Sequence, residues 1–177
     1  MAEPSTARSL KRSSSPRKAA AAAVGDIDTS YLESLTGYNA RRAALTIISV
    51  FLERMAQYEL RPVDFSVLSL IANNPGITSR QLCGALDILP PNLVGMLRHL
   101  EGRGVIEKRD HPTDRRAQGL HLSAAGKKLY AKAQRTATEL EVDALGDLSV
   151  EERETLHSLL RRVYRTRRAA ADGDQPG

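Results

Sequence analysis

The stretch LEGRGVIEKRDHPTDRRAQGLHLSAAGKKL, residues 100–129, decides the fold, because its hydrophobic period changes twice. Gly102 and Gly104 stop a helix. From Val105 to Arg109, and again from Gly119 to Leu122, the period is 2 rather than 3.6, which predicts two short strands with Leu120 and Leu122 on one face. The polar segment between them, DHPTDRRAQ, carries the Asp, Pro and Thr that suit a hairpin tip. Ser123 then restarts a helix, along which Leu129, Ala133, Ala137, Leu140 and Ala144 form a long stripe. Gly146 breaks it. Ser149 with Glu152 makes a capping box for a last helix, where Leu156, Leu159, Leu160, Val163 and Tyr164 fall at i, i+3, i+4, i+7 and i+8.

Upstream of the hairpin the pattern is helical throughout. Residues 37–57, GYNARRAALTIISVFLERMAQ, carry an apolar sector (Ala44, Ile47, Ile48, Phe51, Leu52, Met55) wider than one buried face needs. Pro62 opens a second helix at its first turn, with Val67, Leu68 and Ile71 as core stripe, and Asn73-Asn74-Pro75-Gly76 ends it. Thr78 and Gln81 form a capping box for a third helix, with Leu82 and Leu86 pointing inward. A fourth has Pro90 and Pro91 in its first turn and Leu93, Leu97 and Leu100 on its buried side. The order is helix, helix, helix, helix, hairpin, helix, helix. A short helix, a tight turn, a second helix and then a two-stranded hairpin make a winged helix-turn-helix, so the expected fold is mainly α with a small β-hairpin wing.

The expected organisation is one domain over residues 31–170, with a DNA-binding lobe at 60–122 flanked by long helices at 37–57 and 123–168. These helices carry more apolar surface than one small core can hide, and a homodimer stem is the economical answer. Ile48, Phe51, Leu156, Leu160, Val163 and Tyr164 are the candidate seam. Residues 1–30, rich in Ser, Ala, Pro, Lys and Arg, read as a disordered basic tail. That tail is either a solvated leader or an arm that touches DNA phosphates. Residues 171–177 read as a second loose end.

Composition narrows the function classes. A content of 41% hydrophobic but only 4% aromatic residues, with no Trp, predicts a Leu/Ile/Val/Ala interior. A net charge of +5 favours a polyanionic partner, weakly on its own. The single cysteine, Cys83, excludes an internal disulfide framework and suits a reducing cytoplasm. No apolar run reaches the roughly eighteen residues of a membrane span, and no Leu-rich stretch follows the basic N-terminus as in a secretory signal. His99, His111, His121 and His157 have no short metal-ligand spacing, so neither a metal nor another cofactor is expected. No glycine-rich phosphate loop, nucleophile elbow or carboxylate pair is present, which argues against an enzyme.

From about Gly37 to Arg168 the chain resembles the MarR family of transcriptional regulators. The resemblance is most specific over residues 100–129: Leu-Glu, a glycine turn, a basic strand, Asp-Arg-Arg at the wing, then Leu122-Ser123-Ala124-Ala125-Gly126 with Ser for the usual Thr. GYNARRA at 37–43 and LSVEE at 148–152 match the family's first and last helices more loosely. The resemblance implies a ligand-responsive repressor that binds double-stranded DNA as a dimer, at home in the cytoplasm and held to the nucleoid by that binding.

On the fourth helix the inward leucines leave Pro91, Asn92, Gly95, Arg98 and His99 on the other side. Asn pairs bidentately with adenine and Arg with guanine in the major groove. Pro90, Pro91, Val94 and Gly95 stand where relatives often carry polar residues, so thymine-methyl contact and close backbone approach are expected to do part of the reading; the plain alternative is a helix that contacts phosphates alone. Thr78, Ser79 and Arg80 sit at a helix start that favours a phosphate, although capping alone also explains Thr78. By resemblance Arg116 fills the wing-tip position that enters the minor groove, Arg115 accompanies it, and Asp114 braces the hairpin. The bland reading of that pair is a solvated surface.

The family binds its effector between stem and lobe, which here implies Tyr38, Arg41, Arg42 and Phe65. Arginine beside aromatic rings suits a small aromatic carboxylate or related anion; the alternative is intersubunit salt bridges and core rings. Peroxide-sensing members use a cysteine in the first helix, whereas Cys83 flanks the core stripe of the third and reads as an inert packed thiol. The other function classes are a constitutive architectural DNA-binding protein without effector and a winged-helix protein-interaction module.

Overall fold

The computed structural model describes residues 27–110 and 118–172, with side chains up to Arg165. Asp114, Arg115 and Arg116, together with most of the N-terminal tail and residues 173–177, lie outside the described residues. The chain divides into two units, residues 1–42 and 43–177.

In the first unit, a four-residue helical turn, α1 (Ser30–Glu33), precedes α2 (Thr36–Met55), which continues into the second unit. Asp28 accepts from the Ser30 N–H at 2.9 Å, and hydrogen bonding to the Ser30 side chain, with this backbone bond second, lowers its pKa. The Asn39 side chain donates to the carbonyls of Glu33 (2.6 Å) and Leu35 (3.0 Å), fixing the bend between the helices. The short α1 carries no sequence signal, and the structure starts the described helices at Ser30 and Thr36 rather than at the expected 31 and 37.

The second unit follows the expected order. After a 3₁₀ turn (Ala56–Tyr58) come α3 (Pro62–Asn73), α4 (Ser79–Leu86), α5 (Pro90–Gly102), the antiparallel strands β1 (Ile106–Asp110) and β2 (Gln118–Leu122), α6 (Ala124–Ala144) and α7 (Val150–Asp172). The capping signals form as read. Thr78 Oγ1 accepts from Gln81 N at 3.3 Å, and the Gln81 side chain accepts from Thr78 N at 2.9 Å. Ser123 Oγ accepts from Gly126 N at 3.0 Å, and Ser149 and Glu152 exchange the same reciprocal pair at 2.7 and 3.2 Å.

β1 pairs with β2 so that Ile106 faces Leu122 and Lys108 faces Leu120. The ladder starts one residue later than expected, because the Val105 carbonyl accepts from Ser123 N (3.1 Å) and so closes the turn into α6. A further bridge joins Ile77 to Leu120: Gly76 N donates to Leu120 O and Leu120 N to Ile77 O, both at 2.9 Å. The segment before α4 is thereby stitched to the wing. Glycine is required at one of these approaches and favoured at another. A Cβ on Gly126 would stand 1.8 Å from the Val105 carbonyl oxygen, and one on Gly119 would stand 3.0 Å from the Gly76 backbone.

The core is aliphatic, as the composition implies. Met55, Val67, Leu68, Ile71, Leu82, Leu93, Leu100 and Leu120 are fully buried, and Val105, Ile106, Leu122, Ala133 and Leu140 close around them. Phe51 corrects an expectation. It is buried in this core, edge-on to Phe65 at 5.9 Å, and so is not part of an exposed seam. The other apolar side of α2 remains exposed at Leu45, Ile48 and Leu52. On α7, Leu156 is half-buried, while Leu159, Leu160, Val163 and Tyr164 are exposed.

Candidate nucleic-acid interface

Helices α4 and α5 are joined by Asp87-Ile88-Leu89, with Asp87 in the left-handed region at φ 54°. The buried leucines of α5 fix its rotation, so the opposite side is set without further contacts. Pro91, Asn92, Gly95, Arg98 and His99 are all exposed, as expected from the sequence. A Cβ on Gly95 would find nothing within 4 Å, so the helix backbone is open to close approach there. At the start of α4, Ser79 and Arg80 are exposed. The Thr78 hydroxyl donates to the Gln81 side chain at 2.9 Å while accepting from its backbone, which gives the capping role a full set of bonds.

Asn92, Gly95 and His99 do more than face outward. With Met96 they form one wall of a groove of about 560 Å³ whose other wall is Glu59, Arg61 and Asp64, from the turn into α3. Asp64 is 1% exposed, the one buried charged residue among the described ones. Its carboxylate accepts from Arg61 Nε (2.8 Å), Arg61 NH2 (3.0 Å) and the Arg61 backbone N–H (3.1 Å). Burial works to raise the Asp64 pKa, but the hydrogen bonds and charge of Arg61, with a smaller contribution from His99, outweigh it and hold the pKa below the ordinary carboxylate value. Arg103, just past α5, donates to the carbonyls of Glu59 (2.8 Å) and Tyr58 (2.9 Å), locking the end of α5 to the start of α3.

The hairpin is anchored to α5 by Lys108, which donates to Glu101 at 2.8 Å, and Arg109 pairs with Glu107 along β1. The wing residues Asp114, Arg115 and Arg116 fall in the segment outside the described residues.

Of the expected effector residues, Tyr38 is half-buried and Arg41 and Arg42 are exposed, all on the first unit. Phe65 is in the second, between Phe51 and Tyr130, and it stacks on Tyr130 at 5.9 Å with 29° between the rings. These two rings line a groove of about 750 Å³ between α3, α6 and the start of α7, rimmed by Ser69, Gln134, Arg153 and His157. Tyr130, Arg153 and His157 are not among the effector residues expected from the sequence. Tyr130 adjoins Leu129 of the α6 stripe, and no local signal brings α7 to it. Cys83 is half-buried and packs on the core, less enclosed than an inert thiol was expected to be. Among the described residues no cluster of His, Cys, Asp or Glu could hold a metal, and no helix is long and apolar enough to cross a membrane.

Fold and site together define a winged helix-turn-helix protein with an outward recognition helix. The MarR family profile matches residues 60–117. A putative transcriptional regulatory protein for the hcr operon of Thauera aromatica is 32% identical over 130 residues, 73% of this chain and 78% of that protein. The transcriptional regulator HosA of Escherichia coli is 31% identical over 108 residues, 61% of this chain and 80% of HosA. Among solved structures, the repressor CouR bound to a 23-mer DNA duplex superposes with a TM-score of 0.74 at 35% identity, over 79% of this chain and 99% of CouR. CouR bound to p-coumaroyl-CoA gives 0.71 at 34%, over the same shares. The chain belongs to the MarR family and is a transcriptional regulator of that type.

Proposed function

We propose that the protein is a homodimeric repressor that reads a pseudo-palindromic operator and releases it on binding a small aromatic anion. The observation that carries the DNA reading is the recognition face of α5: polar and open at Asn92, Gly95, Arg98 and His99, on a helix whose rotation is fixed by buried leucines. In the major groove Asn92 and Arg98 supply bidentate hydrogen bonds to adenine and guanine. Ser79 and Arg80 hold phosphate, and the wing places Arg116 in the minor groove with Arg115 on the backbone and Asp114 bracing the tip. Two half-sites about one helical turn apart match two copies related by a twofold axis. The exposed apolar residues Ile48, Leu160, Val163 and Tyr164 supply the seam between the copies.

The groove over Phe65 and Tyr130 supports the effector reading. Stacked rings accept an aromatic group, and Arg153 at the rim supplies a donor for an anionic end, beside the acids Glu141 and Glu154, with His157 paired to Glu141 at 3.2 Å. CouR, which is similar over almost its whole length, binds DNA in one structure and p-coumaroyl-CoA in another. Footprinting on the DNA next to the protein's own gene, with and without p-coumaroyl-CoA, tests the whole reading. A two-half-site footprint that the ligand erases supports it. Protection of one isolated half-site overturns the dimeric reading, and a footprint indifferent to p-coumaroyl-CoA and to simple aromatic carboxylates points to a constitutive DNA-binding protein.

A further inference from the structure

We infer that Arg61, which lies outside both the helix-turn-helix and the wing, contacts a DNA phosphate, and that buried Asp64 is its positioning residue. This rests on the reading of α5 as the recognition helix, because the two stand on opposite walls of one groove.

A guanidinium has five N–H donors. Asp64 takes the Nε donor and one on NH2, which leaves three directed away from the carboxylate on a side chain 61% exposed. Burying a carboxylate is costly unless it is paired and hydrogen-bonded. Of the three bonds Asp64 accepts, the two that depend on the Arg61 side chain, from Nε and NH2, form a bidentate pair that holds the guanidinium in this rotamer, while the third comes from the backbone N–H of the same residue. The arginine is thus held in place before any ligand arrives, and little rotamer freedom remains to be lost on binding. An ordinary surface arginine at a helix start has no such restraint.

The held fork also faces a defined place. Across the groove are Asn92, Gly95 and His99, on the side of α5 that turns toward α3. Arg103 ties Tyr58 and Glu59 to the end of α5, so the two walls are joined by direct hydrogen bonds. The groove's other acid, Glu59, is drawn to Arg103 at 3.6 Å rather than to Arg61. A helix seated in the major groove has a phosphate strand along each flank. A cation fixed beside the Asn92–His99 flank meets the nearer strand. Arg61 then reports backbone position and no base identity.

The test measures affinity of the full-length protein for its operator and for an unrelated duplex by fluorescence anisotropy between about 50 and 250 mM salt. The variants are Arg61→Ala, Arg61→Lys, Asp64→Asn and Arg98→Ala, with a melting temperature for each. Arg61→Ala is expected to weaken both duplexes alike, by about tenfold or more, and to lower the slope of log affinity against log salt by about two, one for each copy in the dimer. Arg61→Lys, which keeps a cation beside Asp64, restores the slope while losing a few-fold in affinity with the fork geometry. Asp64→Asn keeps the slope and loses a few-fold through the freed rotamer. If Arg98→Ala weakens operator binding while Arg61→Ala alters only the melting temperature, Arg61 is a structural partner of Asp64 and the inference is overturned with the recognition helix intact. If Arg98→Ala is also without effect, the reading of α5 fails with it. An unchanged affinity in Asp64→Asn removes the positioning role.

Discussion

Helices α5 and α7 have the same kind of sequence pattern and opposite fates. Leu93, Leu97 and Leu100 on α5 are 1%, 4% and 0% exposed, whereas Leu159, Leu160, Val163 and Tyr164 on α7 are 49%, 44%, 68% and 59% exposed. Periodicity states that a helix has an apolar side; it does not say in which molecule the partner lies. For α5 the partner is the chain's own core, so the polar side is the one turned outward to recognise something. For α7 the apolar side itself is turned outward, an exposed patch of the kind that protein interfaces use. On the proposed reading, α5 is the helix that reads DNA and α7 the one that assembles the dimer.

The largest effect belongs to the seam. Replacing Leu160 and Tyr164 with Asp places two charges where the two copies would exclude water, and desolvating them is costly. Light scattering should report monomer, and operator affinity should fall by about a hundredfold or more, because the second half-site no longer binds at the effective concentration that dimerisation provides. A wild-type protein monomeric at micromolar concentration would break the contrast between the helices.

Single truncations sharpen it further. Leu97→Ala empties a buried site and should cost about 2–5 kcal/mol in denaturant unfolding. Leu159→Ala, made in the background of the seam double variant, removes a side chain that is already half in water and should cost within about 0.5 kcal/mol. Equal costs would mean that α7 packs into its own chain in solution.

What was legible in the sequence were the features with local causes. Thr78 with Gln81, Ser123 with Gly126, and Ser149 with Glu152 are each closed by bonds spanning three residues, so the helix starts could be read directly. The strand edge shifted by one because the Val105 carbonyl answers to Ser123, eighteen positions on. The Ile77–Leu120 bridge is a single long-range pair with no periodicity to announce it. Phe51 sat on a sector with two apolar sides, and only the position of Phe65 decides which side is core. Asp64 did leave a trace, an acid three residues after the cap position at Arg61, but its depth is a tertiary fact. The groove at Tyr130, Arg153 and His157 needs three helices to converge, and no one of them carries its pattern.

The wing supplies the next effect in size. Arg116→Ala should weaken operator binding by about 1–3 kcal/mol and relax any preference for A·T pairs beside the half-sites, because a narrow groove is what rewards the inserted cation. Arg115→Ala should cost less. The melting temperature of both variants should match wild type, which separates reading from folding in the same way as the two helices do. If Arg116→Ala leaves affinity and flanking preference unchanged, the wing is no reader and recognition rests on α5 and α4.

The smallest effect is the most discriminating test of α5 as a reading surface, since the two sides of the measurement should move in opposite directions. Gly95 lies inside a 13-residue helix, where glycine costs about 0.5–1 kcal/mol relative to alanine through the backbone freedom it must lose. A Cβ there meets nothing within 4 Å in the free protein. Gly95→Ala should therefore stabilise the free protein, raising its melting temperature by roughly 1–4 °C for a chain of this size. If the helix backbone approaches DNA at Gly95, the added methyl stands between helix and base edges and operator affinity falls although stability has risen. Thermal melts and anisotropy on one preparation decide it. A variant that is both more stable and equally tight in binding would show that the glycine faces empty solvent in the complex too, and that Asn92, Arg98 and His99 read the operator across a wider gap.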